Sequence, residues 1–162
     1  MIRRANKEDL DKIVTLGVEL NDNFKSLYNY ESLNEDVNET FVIVSNNDVI
    51  GFIHIQNLVG EIDIINFIVD KDFRNNKNGY KLLKYIIDNY VDKKIFLEVA
   101  EDNEAAIKLY KRNGFIEINR RNNYYSGKDA IIMERKWFYE RCIYSWSWNI
   151  MRRNKSSYCK KW

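Results

Sequence analysis

The sequence predicts an α/β domain built on a mixed, mostly antiparallel sheet that carries packed helices. Two observations lead there. Residues 40–70, "TFVIVSNNDVIGFIHIQNLVGEIDIINFIVD", hold three β-branched runs broken by "SNND" and "LVGE", the pattern of an antiparallel three-stranded meander ending at Asp70. The third run is followed by an apolar-periodic helix and then by "KIFLEVA" (94–100), which is nearly all apolar. Strand, helix and strand at this spacing imply a parallel crossover.

The remaining elements follow in order. From Asn6 to Leu20, the residues Leu10, Ile13, Val14, Leu16, Gly17 and Leu20 recur at helical spacing, with Asn6 as the cap. "NFKSLYNYESLNEDVNE" has no clean period and is assigned a short helix with loops. Gly79 to Tyr90 puts Leu82, Leu83, Ile86, Ile87 and Tyr90 on one face, a second helix. "DNEAAIKLYKRNGF" opens on an Asp or Asn cap and closes on Asn-Gly, suited to a left-handed C-terminal turn. Strands "FIEINRR" and "DAIIMERKW" finish the body, and the loop "NNYYSGK" between them carries Tyr124 and Tyr125.

A chain of 162 residues fits one domain, and its net charge of +2 argues against a dedicated nucleic-acid surface. The charge is unevenly placed. Residues 138–162 hold six Lys/Arg and one acid, leaving residues 1–137 with 20 basic and 23 acidic groups, a net of −3. Both cysteines, Cys142 and Cys159, lie in that tail, and His54 is the only histidine, which speaks against Ser–His, Cys–His and zinc chemistry in the body. No metal is expected. The start turns acidic before any long apolar run, and nothing approaches the roughly 18 apolar residues of a membrane span, so a cytoplasmic protein with no membrane partner is expected. The division is therefore a domain over 1–137 and an atypical C-terminal tail over 138–162, whose Trp, Cys, Arg and Ser content resembles AT-rich coding DNA read out of frame or an overlapping gene.

Three features bear on chemistry. "FRNNKNGYKLL" (73–83) leads a polar loop into a helix, where unpaired N–H groups and the helix dipole suit a phosphate; an ordinary polar turn is the alternative. Glu98 interrupts "IFLEVA", and a carboxylate there is either a solvated strand end or a buried group needing a partner. Tyr110 sits one turn beyond Ala106, either packing its ring or presenting its hydroxyl to a cleft. A Glu and a Tyr beside one cleft would supply a base and an acid. His54, alternating with Phe52 and Gln56, reads as a structural strand residue, and the acidic group Glu31, Glu35, Asp36 and Glu39 as a solvated charge run.

The order of elements, together with "INFIVDKDFRNNKNGYKLL", "LEVAEDNEAAIKLYKRNGF", "RRNNYYSGKDAIIMERKW" and, more weakly, "IRRANKEDL", resembles the GCN5-related N-acetyltransferase (GNAT) superfamily. Within it, the chain is similar to the RimI-like ribosomal-protein-alanine N-acetyltransferases. The resemblance implies the GNAT fold, a mostly antiparallel sheet splayed at its centre with helices on both faces, and acetyl-CoA as co-substrate. Phe67, Ile68 and Val69 match the strand whose backbone bonds the pantetheine arm. Asn75, Asn76, Lys77, Asn78, Gly79 and Tyr80 match the pyrophosphate loop, and Asn103 matches an asparagine that contacts the coenzyme. Glu98 matches the general base, Tyr110 the general acid, and Tyr124 and Tyr125 the positions beside the acceptor peptide. The implied reaction is direct attack of an N-terminal amine on the acetyl group, with a ribosomal-protein N-terminus as acceptor and no protein nucleophile. Two alternatives stand beside it: acetylation of a small-molecule amine or lysine, and a non-catalytic GNAT-fold binding protein. The second is motivated by Lys77, which replaces the first glycine of the loop pattern, and by Asn78, which replaces an apolar residue.

Overall fold

In a computed structural model, which describes residues 1–125 and 127–137, the chain forms a seven-stranded sheet in the order β1-β2-β3-β4-β5-β7-β6. The tail from residue 138 lies outside the described residues. The strands are β1 (Ile2–Arg4), β2 (Asn38–Ser45), β3 (Asp48–Asn57), β4 (Glu61–Val69), β5 (Lys94–Ala100), β6 (Ile116–Tyr125) and β7 (Lys128–Arg135). The β4–β5 pair is parallel and every other pair is antiparallel. The hairpin between β2 and β3 turns on Asn46 and Asn47, both left-handed at φ 50° and 62°, the backbone that a two-residue loop needs to match the strand twist.

Among the described residues, five α-helices cover the two faces: α1 (Leu10–Gly17), α2 (Phe24–Leu27), α3 (Tyr30–Asn34), α4 (Asn78–Asn89) and α5 (Glu104–Arg112). On one face, Leu82, Leu83, Ile86 and Ile87 of α4 and Tyr110 of α5 pack on Ile53, Ile55, Ile62, Ile64, Ile95, Leu97, Val99 and Met133. On the other, Ile13 and Leu16 of α1, Phe24 of α2 and Leu33 of α3 pack on Val42, Phe52 and Ile68. Leu82, Leu83 and Ile86 are fully buried, each worth about 1.5–3 kcal/mol relative to exposure. Their spacing along α4 holds that helix down on β2, β3 and β4, and thereby fixes where its N-terminus points.

Several expectations need correcting. The edge strand β1 was not expected; it is anchored by Arg3, whose guanidinium donates to both carboxylate oxygens of buried Asp9 at 2.6 and 2.8 Å. The first helix is shorter than its periodicity implies. A 3-10 turn at Lys7–Asp9, capped by Asn6, precedes α1, and α1 stops at Gly17, where any Cβ would sit 2.4 Å from the Phe24 ring. Val18 and Leu20 are consequently exposed. The polar aromatic segment makes two short helices, α2 and α3, not one. Tyr124 and Tyr125 lie in β6 rather than in a loop. Ile118 bulges out of register, the irregular stretch after Arg121 contains left-handed Asn123 (φ 55°), and pairing resumes at Tyr125↔Lys128.

Candidate active site

The site begins with a break in the sheet. Residues Glu61 to Ile64 of β4 pair with Lys94 to Leu97 of β5, and the register stops there, although β4 runs on to Val69 and β5 to Ala100. At the same place β4 bulges against β3: Ile55 pairs with Ile64 and His54 with Asn66, leaving Ile65 without a partner. The bulge bends β4 away from β5 and opens a gap in mid-sheet. Backbone groups lining such a gap require partners, and an extended ligand with amides of its own meets that need by adding to the strand.

Glu98 is the first residue of β5 beyond the last pair. It alternates with Leu97 and Val99, which are buried under α4 and α5, so its carboxylate faces the other side of the sheet. There its Oε1 lies 3.1 Å from Nη1 of Arg121, whose guanidinium also stands 5.4 Å over the Tyr124 ring. Asp63 of β4 shares that face. Burial, then the charges of Glu61 and Glu98, push its carboxyl above the usual carboxylate range. Tyr110 approaches from the α4/α5 side, with its ring 6.3 Å from Phe67 of β4 and 5.6 Å from Phe115. Glu98 thus lies on one side of the sheet just beyond the last β4–β5 pair, and Tyr110 packs against Phe67 from the other. The Tyr124 side chain is half-exposed beside Arg121, and that of Tyr125 lies outside the described residues.

Beyond the gap, β4 delivers the chain to α4 through a loop held from inside. Arg74 Nε donates to the Val69 carbonyl at 2.7 Å, its Nη2 to Glu19 at 2.9 Å, and Asn78 Nδ2 to the Phe73 carbonyl at 2.9 Å. Asn75 and Lys77 are both left-handed, at φ 64° and 59°. Lys77 is the N-cap of α4 and its side chain makes no capping bond, so the first-turn N–H groups receive no side-chain acceptor from it. Asn75, Asn76, Lys77 and Tyr80 are exposed, which leaves this helix end open to an anion. Gly79 nests among Phe67, Val69 and Leu109; an added Cβ would meet them at 3.6–3.8 Å, so this glycine seats the helix closely on β4. Asn103 uses its side-chain oxygen to cap α5 at Ala106 N, 3.2 Å away, and is exposed at the near end of that helix.

These features fit a nucleotide-carrying coenzyme with an amide-bearing arm: an open helix N-terminus suits phosphates and a strand edge suits amides. Sequence reasoning singled out the loop, Glu98 and Tyr110 as candidates. It missed Arg121 and Asp63, although strand alternation places Asp63 on the face of Glu98. Among the acidic group considered earlier, Glu31, Glu35 and Asp36 are exposed, whereas Glu39 accepts from Asn57 and Tyr90 on the opposite face of the sheet.

Comparison with known proteins agrees with this geometry. Residues 8–115 match the model of the acetyltransferase (GNAT) family. An N-alpha-acetyltransferase from Sulfolobus acidocaldarius is 30% identical over 150 residues, covering 82% of this chain and 89% of the relative. The ribosomal protein bS18-alanine N-acetyltransferase of Escherichia coli K12 is 35% identical over 100 residues, 57% of this chain and 68% of the relative. The crystal structure of the ribosomal-protein-S18-alanine N-acetyltransferase from Escherichia coli superposes with a TM-score of 0.73 at 28% identity, over 83% of this chain and 92% of that one. A mixed sheet whose fourth and fifth strands part beyond Ile64 and Leu97 and a matching family model converge, and the chain belongs to the GNAT acetyltransferase family.

Proposed function

We propose that this acetyltransferase acts on protein N-termini, with the N-terminal alanine of a small-subunit ribosomal protein as its acceptor. The observation that carries the reading is the gap between β4 and β5 with Glu98 at its rim. The names of the two curated relatives, both acetyltransferases of protein α-amines or alanine, favour a peptide over a small-molecule acceptor.

Acetyl-CoA, when bound, supplies an acetyl thioester. Phe67, Ile68 and Val69 offer the strand edge that would orient its arm, residues 75–80 the helix end for its pyrophosphate, and Asn103 its exposed amide nitrogen. The acceptor arrives as an ammonium with a pKa of about 8 and must lose a proton before it can attack. Glu98 is the base for that proton, directly or through one water. Until the acceptor enters, Arg121 satisfies the carboxylate; the incoming ammonium then takes the place of the guanidinium and gives Glu98 its proton. Tyr110, from the opposite face, donates its hydroxyl proton to the departing sulfur. Tyr124, beside Arg121, stands on the acceptor side. The N–C bond forms, the C–S bond breaks, and the second proton shed by the acylated nitrogen returns through water to the Tyr110 phenolate, so no cysteine or serine of the chain is acylated.

The test is incubation of the full chain with acetyl-CoA and synthetic peptides beginning with alanine, followed by mass spectrometry. An acetylated peptide with equimolar free CoA is expected. Absence of peptide acetylation, with acetylation of a polyamine or free lysine in its place, would refute the choice of acceptor.

A further inference from the structure

His54 is almost completely buried, at 2% exposure, and the mechanism above does not use it. Its Nε2 lies 3.2 Å from Asn38 Oδ1 on β2, and its Nδ1 lies 3.3 Å from Asn66 Nδ2 on β4. Asn38 Oδ1 also accepts from Gln56 Nε2 at 3.4 Å, and the ring of Tyr28, just past α2, meets the imidazole edge-on, 5.7 Å between centroids. A carbonyl oxygen on one side and an amide NH2 on the other fix the tautomer: Nε2 carries the proton and Nδ1 accepts. Burial favours the neutral ring and lowers its pKa to about 4.

The partners of this imidazole coincide with the bulge. His54 pairs in register with Asn66, one residue past unpaired Ile65. Were β4 to slip into the unbulged register, Ile65 would oppose His54 and every side chain from Asn66 to Val69 would change face. Phe67 would leave Gly79 and Tyr110, and the backbone edge offered to the gap would be inverted. The buried ring would also face an apolar side chain with its Nδ1 lone pair unsatisfied, an outcome that burial penalises.

We propose that His54 is a positioning residue: its imidazole, held between Asn38 and Asn66, selects the bulged register of β4 and thereby fixes the strand edge that receives the pantetheine arm of acetyl-CoA. This inference rests on the coenzyme reading above. His54→Leu removes both contacts, whereas His54→Asn keeps an oxygen near the Nδ1 position to accept from Asn66. The experiment compares both variants with the native chain by acetyl-CoA calorimetry and by steady-state kinetics on an alanine peptide. Weakening of acetyl-CoA affinity by tenfold or more is expected in H54L, with the acceptor KM within about twofold, and recovery to within about threefold in H54N. Acetyl-CoA affinity in folded H54L equal to the native value would overturn the proposal. Should H54L not fold, Asn66→Ala takes its place, removing the donor while leaving the ring, and the same two outcomes decide. Were the native chain itself not to bind acetyl-CoA, the coenzyme reading would fall; hydrogen exchange of amides 65–69 then judges the clamp alone. At least tenfold faster exchange in the variant supports it, and unchanged exchange removes it.

Discussion

Lys77→Gly separates the two meanings of the irregular phosphate loop. Lys77 already adopts φ 59° and ψ 14°, the left-handed backbone for which glycine is the usual choice. Holding an L-residue there costs about 1–2 kcal/mol. Glycine relieves this strain but loses about 0.5–1 kcal/mol more conformational entropy on folding. The net gain for the ligand-free chain is about 0.5–1 kcal/mol, equivalent to a Tm rise of about 1–4 °C for a domain of this size. Binding should move the other way. The loop needs no glycine to reach its shape, so glycine contributes no preorganisation, and it removes an ammonium beside the phosphate site. One such charge about 4 Å from a phosphate in a watery setting is worth about 1 kcal/mol, or about fivefold in Kd. Scanning calorimetry without ligand and titration calorimetry with acetyl-CoA read the two effects separately. A higher Tm with about fivefold weaker binding is expected. Tighter binding would show that the lysine is a defect, and a lower Tm would refute the strain argument.

Other perturbations address the reaction and the core. Glu98→Gln should lower kcat by about 10²–10⁴ while leaving acetyl-CoA affinity within twofold, as measured by kinetics and calorimetry; an unchanged kcat removes Glu98 from the mechanism. Tyr110→Phe keeps the ring that packs on Phe67 and Phe115, so the fold should persist by circular dichroism while turnover drops. Acid stability should report His54. Its folded pKa of about 4 lies below the unfolded value of about 6.5, so the unfolded chain takes up the proton first as pH falls. The neutral ring's contribution is complete above pH 6.5 and declines as pH falls to 4, by about 2 kcal/mol between pH 7 and 5. Urea melts of His54→Asn should lack that portion of the pH slope.

The meander, the crossover and both long helices were legible because their apolar periods are clean and their turns carry Asn or Gly where left-handed backbone is required. β1 was not, since three residues show no period and its partner strand begins some 30 residues later in the chain. The second half of β6 was hidden by two irregularities that break alternation, at Ile118 and between Arg121 and Tyr125. The loop, Glu98 and Tyr110 were visible because each lies within a contiguous motif. Arg121 and Asp63 reach the same face from different strands, and only the sheet register brings them beside Glu98. His54 was read as bland for the same reason. Its partners Asn38 and Asn66 lie 16 and 12 residues away, and the bulge that gives their contact a consequence leaves no mark in a single strand.

Transfer of an acetyl group to a protein α-amine across the gap between β4 and β5 is the proposed reaction. Its most direct test is tandem mass spectrometry of one peptide carrying both an N-terminal alanine and an internal lysine, after incubation with acetyl-CoA and the native chain or Glu98→Gln. Acetyl on the alanine α-amine alone is expected, formed by the native chain and strongly reduced in the variant. Acetyl on the lysine side chain, or equal α-amine acetylation by both proteins, would contradict it.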